Sequence, residues 1–183
     1  MKRRSVFTAS AMLMATMFGL IAAVPVVNAD DSKDTKALLE ALGKTKHTLI
    51  DGVRQAAKGG AVAISAKFEL EDGKLSLSVY TAEKGLSVPP EQNSLQELSG
   101  SPEQDKWQPT VEVFKDVPHV ARSSQQLTLM ALGKSSLANI IARARKTQSG
   151  TVFSVTPIIR NHKAVAEVLV ADKGKVKKVI QPL

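Results

Sequence analysis

The chain has 183 residues, with 25 Lys and Arg against 17 Asp and Glu, no Cys, one Trp and 43% hydrophobic residues. It is too apolar for intrinsic disorder and lacks the glycine period of collagen; without Cys it has neither a disulfide framework nor a thiolate to ligate a metal or attack a substrate. At this length it is one ordinary domain or two small ones.

In chain order, residues 1–29 read as an export leader. Lys2, Arg3 and Arg4 precede an uncharged stretch from Val6 to Val24, Pro25 breaks it, and Val27-Asn28-Ala29 places small residues where a signal peptidase cuts, before Asp30-Asp31. Cleavage there makes Asp30 the first mature residue; uncleaved, the apolar stretch is close to the ~20 residues of a spanning helix and would be the chain's membrane anchor. Losing the three leader cations leaves 154 residues with 22 basic and 17 acidic groups, a net charge of +5.

Beyond the leader, Leu49, Ile50, Val53, Ala56 and Ala57 recur at helical spacing and stop at Gly59-Gly60. Val62, Ile64, Ala66, Phe68 and Leu70 then alternate with Ala63, Ser65, Lys67 and Glu69, which predicts a half-buried strand. Asp72-Gly73 signals a two-residue hairpin turn, and Leu75, Leu77 and Val79 return on one face with Ser76, Ser78 and Tyr80 on the other. The Pro- and Ser-rich stretch 86–106 reads as a loop or partly ordered excursion, Trp107 to Phe114 as a delayed third strand, and Pro118 with Ser123-Ser124 as a link. Leu137, Ile140, Ile141 and Ala144 form a second helix ending at Gly150. A hairpin follows, with Phe153, Val155 and Ile159 facing in, a turn at Asn161-His162, and Ala164, Ala166, Val168 and Val170 returning; a last strand runs from Lys175 to Ile180.

The two stretches share residues as well as pattern. Ala41-Leu42-Gly43-Lys44 recurs as Ala131-Leu132-Gly133-Lys134, an offset of 90, and Lys74 to Gly85 aligns without gaps on Lys163 to Gly174, an offset of 89, with five of twelve positions identical. Two collinear matches at nearly one offset indicate an internal repeat. The expected organisation is a leader over 1–29, a first unit over 30–122 with its insertion at 86–106, and a second unit over 123–183. The expected fold class is α+β: two helix-plus-antiparallel-sheet units, helices on one sheet face and the other face open.

The helix, the hairpin and above all Val170-Ala171-Asp172-Lys173-Gly174-Lys175-Val176 resemble the PepSY domain, whose pattern is a helix followed by antiparallel strands with an aspartate-containing turn that ends in Gly-Lys-Val. The first unit carries a degraded form, Tyr80-Thr81-Ala82-Glu83-Lys84-Gly85, and departs into the insertion. The resemblance spans about Thr35 to Leu183, and tandem copies resemble the architecture of the β-lactamase inhibitory protein. It implies a binding, inhibitory or regulatory module of an exported protein, periplasmic or secreted, without naming the partner, which is expected to be an exported protein or peptide.

The residues offer little for catalysis. His47, His119 and His162 stand in unlike contexts with no ligand spacing, no G-x-S-x-G elbow presents a serine, and the glycine pairs match no phosphate loop. No cofactor or metal ligand set is expected, and Glu71-Asp72 reads as solvated charge at a turn. A non-catalytic binding protein follows.

Two surfaces compete for the partner. On the open sheet face, the second unit places Ile158, Val165 and Leu169 where the first has polar side chains, so that either the units pack together there or a partner covers them. Lys67, Glu69 and the aromatic anchors Tyr80 and Trp107 complete that candidate site. The alternative is the charge asymmetry: residues 30–106 carry 10 basic and 13 acidic groups, residues 107–183 carry 12 and 4. Arg143, Arg145 and Lys146 at a helix end, with Lys175, Lys177 and Lys178, would then bind an anionic envelope polymer or a metal ion. Nucleic acid is not expected, since the basic tracts lack interleaved aromatics.

Overall fold

The structure is a computed structural model describing residues 29–183, with side chains from Lys33 onward; the leader inferred over 1–29 lies outside the described residues but for Ala29. Helices α1 (Ala29–Leu42) and α2 (Leu49–Ala56) precede strands β1 (Val62–Glu71), β2 (Lys74–Ala82), β3 (Leu95–Gly100) and β4 (Thr110–Val113). Helices α3 (Val117–Leu132) and α4 (Leu137–Thr147) precede β5 (Thr151–Arg160), β6 (Lys163–Asp172) and β7 (Lys175–Pro182). The class is α+β, and the strands form one antiparallel sheet in the order β4-β3-β2-β1-β5-β6-β7. No helix among the described residues is long and apolar enough to cross a membrane.

Three tight turns set the hairpin registers. Asp72-Gly73, Asn161-His162 and Lys173-Gly174 all hold positive φ at both residues, the geometry that matches the right-handed twist of flanking strands. The two long hairpins agree residue for residue at an offset of 89: Ala66 pairs with Val79 and Val155 with Val168. Each also carries a bulge at the same place, between Ala63 and Ser65 in β1 and between Val152 and Ser154 in β5. The bulge corrects the simple alternation. It turns Ala63 into the core beside Ile64, where strict period two places it outside.

The two halves join edge to edge. Strand β1 pairs with β5 through Ala66↔Val155 and Lys67↔Ser154, a short junction that joins the halves into one sheet in place of face-to-face packing. A single core results. Leu49, Ile50, Val53 and Ala56 of α2 and Leu137, Ile140, Ile141 and Ala144 of α4 lie over Ala66, Phe68, Leu77, Val79, Val155, Val168 and Val170. A Cβ on Gly52 would stand 2.7 Å from Leu77 Cδ2, so α2 approaches the sheet as closely as it does because that residue has no side chain. Ile159, expected inside, is 59% exposed, because it stands beside the β5–β6 turn, at the end of the strand.

Two segments depart from the sequence reading. The stretch 86–106 contains β3, which pairs with β2 in the place expected for the Trp107–Phe114 strand, while β4 is a short additional edge strand. Polar residues are tolerated in β3 because ladder hydrogen bonds on both sides hold it while one face stays wet. The expected link around Pro118 is helix α3, in which the 122/123 boundary falls. The Asp116 side chain caps it by accepting the His119 N–H at 3.1 Å, and Pro118 sits in the first turn, where no N–H is needed. Ser123, Gln126, Leu127 and Met130 make its buried stripe at i, i+3, i+4 and i+7. It runs across β3, β2, β1, β5 and β6 on the face turned away from α2 and α4. That face is therefore partly covered, not fully open.

Candidate binding site

Where α3 crosses the sheet it leaves a cleft of about 440 Å³, lined from the strands by Ser65, Lys67, Tyr80, Thr156, Pro157, Ile158 and Ile159 and from the helix by Arg122, Gln125 and Gln126. Aromatic stacking continues from Tyr80 beyond the cleft. The Tyr80 and Phe114 ring centres are 5.9 Å apart, and His119 stacks on Phe114 at 5.0 Å, which seats the start of α3 over β2 and β3.

The floor mixes one cation with buried polar groups. Lys67 donates from its ammonium to the Glu69 carboxylate and lies 5.7 Å over the Tyr80 ring. Burial pulls the Lys67 pKa down, but Glu69 and Tyr80 outweigh it and hold the ammonium above its ordinary value. Burial pushes the Tyr80 hydroxyl up. At neutral pH the cleft thus holds a charged Lys67 and a neutral Tyr80. Ser65 Oγ donates to the Val155 carbonyl at 3.2 Å across the junction of the halves. Gln126 is 5% exposed, and among the described residues its buried Oε1 has no hydrogen-bond partner. Pro157 and Ile158 supply an apolar side. A ligand here meets donors from Lys67 and Arg122, the polar side chains of Gln125 and Thr156 and an apolar ledge.

Of the residues singled out from sequence, Lys67, Tyr80 and Ile158 come together in this cleft, and Glu69 is tied to Lys67. Val165 pairs directly with Ile158 and Leu169 with Ser154, so both half-buried side chains continue the same sheet face onto β6. Trp107 does not join them. It is 3% exposed and packs in the core, its Nε1 donating to the Gly100 carbonyl at 3.2 Å and its own carbonyl accepting from Gln55 Nε2 at 2.8 Å. This correction has a simple reason: the indole N–H is taken by the Gly100 carbonyl at the end of β3, the Trp107 backbone carbonyl ties the segment to α2, and the buried ring has no free face to offer. Arg122, Gln125 and Gln126 were missed because their segment read as a link; the helical spacing of Ser123, Leu127 and Met130 was the available signal.

The basic set does not converge. Arg143 donates to Ser135 Oγ at 2.8 Å and to the Pro182 carbonyl at 2.6 Å, tying α4 to the end of β7. Lys177 bonds Asp172 at 2.6 Å and Lys178 bonds Glu167 at 2.9 Å, from opposite faces of β7. Arg145, Lys146 and Lys175 are exposed and carry no carboxylate partner among the described residues. No family model, curated protein or solved structure matches the chain, so the reading of the cleft rests on its own residues.

Proposed function

We propose that this is an exported, non-catalytic binding protein built from two tandem PepSY-like units, and that the cleft between α3 and the sheet takes a segment of a protein or peptide partner, with inhibition or regulation of an exported enzyme as the outcome. The observation that carries the reading is the convergence of Lys67, Tyr80 and Ile158, from three strands and both halves, under a helix that adds Arg122 and Gln126. The shared bulge and register at an offset of 89 support the tandem reading. Of the cleft's hydroxyls, Ser65 donates to a backbone carbonyl and has no histidine or carboxylate base as its hydrogen-bond partner among the described residues, which suits holding a ligand better than breaking one.

Selection of peptides from a displayed library on the purified protein, followed by Tyr80→Ala, Arg122→Ala and Ile158→Asp, tests this. Affinity for the selected peptides should fall about tenfold or more in each variant. The second reading, capture of an anionic polymer by the exposed Arg145, Lys146 and Lys175, is favoured if binding survives all three changes and collapses as salt is raised.

A further inference from the structure

We infer that the sheet face of the N-terminal half holds a binding site for a hard divalent cation of the calcium type, formed by Glu69, Glu71 and Glu97 over a floor of Ser76 and Ser78. One carboxylate oxygen from each glutamate lies within 4.8 Å of the other two. Calcium binds oxygens at about 2.3–2.6 Å, so oxygens on opposite sides of one ion stand up to about 5 Å apart, and the triad needs little movement to share an ion. Glu69 and Glu71 are two residues apart on β1 and project to one side; Glu97 reaches in from β3, and β2 runs between them.

The residues of β2 beneath the triad supply an independent mark. Ser76 pairs directly with Glu69, and Ser78 pairs with Lys67 on one side and Ser99 on the other. Ser76 is 5% exposed and Ser78 fully buried, yet neither hydroxyl makes a hydrogen bond of good geometry. The Ser76 hydroxyl, buried without a partner among the described residues and directly opposite Glu69 on the face of the three clustered carboxylates, is a neutral oxygen ligand with no ion to engage, while the Ser78 hydroxyl is turned toward Glu97.

The local charge agrees. Three carboxylate oxygens within 4.8 Å of one another repel where they share one face of the sheet. Lys67 offsets one negative charge, and Glu112, paired opposite Glu97 on β4, adds another. A divalent ion would relieve this repulsion in competition with the Lys67 ammonium. All-oxygen ligands on flexible side chains suit calcium, which accepts irregular geometry, over magnesium, which demands an octahedron, and over zinc, which prefers nitrogen and sulfur.

Isothermal titration of the full chain with calcium chloride, and separately with magnesium chloride, tests the site. Calcium should bind saturably, with a Kd of about 10⁻⁴–10⁻³ M, as expected for a shallow site of three carboxylates, and magnesium more weakly. Glu71→Gln, an exposed change that leaves the core alone, and Glu97→Gln should each weaken calcium binding about tenfold, whereas Lys67→Met, which removes the competing ammonium, should tighten it. At one calcium concentration the melting temperature should rise more for the parent than for Glu97→Gln. Absence of saturable binding overturns the inference. So does calcium binding that persists unchanged in both glutamine variants, which would be diffuse attraction to surface carboxylates.

Discussion

Helices α1 and α3 end on the same four residues and put them to opposite use. Leu42, from the first Ala-Leu-Gly-Lys, is 6% exposed and belongs to the core, whereas Leu132, from the second, is 72% exposed. Both copies stop a helix at glycine, so the local instruction is obeyed twice. The helices differ in what they pack on. Helix α1 lies against β1 and β2 with Leu38, Leu39 and Leu42 inward, while α3 crosses five strands and buries Leu127 and Met130 instead. The cleft exists because of this difference. Had α3 repeated the placement of α1, Arg122 and Gln126 would not stand over Lys67, Tyr80 and Ile158.

The largest effect that would test the non-equivalence of the halves is expected at two glycines that precede their strands at an offset of 90. Both hold positive φ, but a Cβ on Gly60 meets open space, while one on Gly150 would lie 2.2 Å from the Ala171 carbonyl oxygen. Gly150→Ala should cost more than about 3 kcal/mol, combining backbone strain with a clash that backbone cannot relieve, and Gly60→Ala about 1 kcal/mol. Chemical denaturation measures both, and equal costs would contradict the close approach of residue 150 to β6. Next comes the leucine pair. Leu42→Ala should cost about 2–4 kcal/mol and Leu132→Ala less than about 0.5 kcal/mol; comparable losses would mean that α3 buries its terminal leucine as α1 does.

The smallest effect lies at the caps of α2 and α4. Thr48 and Asp51 form a reciprocal capping box, with the Asp51 carboxylate accepting the Thr48 N–H at 3.0 Å and the Thr48 hydroxyl at 2.6 Å, whereas Ser136 accepts the Asn139 N–H at 3.3 Å without a charged partner. Partial burial pulls the Asp51 carboxyl up, but its bonds from Thr48, with Arg54 and His47 nearby, outweigh that and hold it below its ordinary value. Its stabilising contribution is therefore present above the ordinary carboxylate pKa and is lost as pH falls through the lowered folded value. Asp51→Asn should reduce stability at neutral pH by about 0.5–1 kcal/mol and flatten the acid limb of a stability–pH curve. Ser136→Ala should cost a similar amount with no dependence on acid. An unchanged acid limb in Asp51→Asn would remove the charged cap from the account.

Much of this is legible before folding. Helices α2 and α4 follow from 3.6-residue spacing, and the two long hairpins from alternation with turn residues that tolerate positive φ. The half of the cleft that comes from the sheet, Lys67, Tyr80 and Ile158, is also visible, because alternation alone assigns them to one face. Strand β3 is not visible, since its polar residues become a strand only when β2 and β4 supply hydrogen bonds on either side. Trp107 looks like an anchor for a partner because an amphipathic aromatic fits an interface or a core equally well, and only the nearby Gly100 carbonyl and Gln55 decide between them.

Short-range chemistry in the chain accounts for the caps, the turns, the periodicities and the two long hairpins, since each depends on neighbours a few residues away. The pairing of β1 with β5, the face chosen by α3, and the gathering of Glu69, Glu71 and Glu97 are decided only in the folded molecule. They depend on which edges and surfaces remain unsatisfied once the local elements have formed, a property of the assembled sheet that no window of sequence contains.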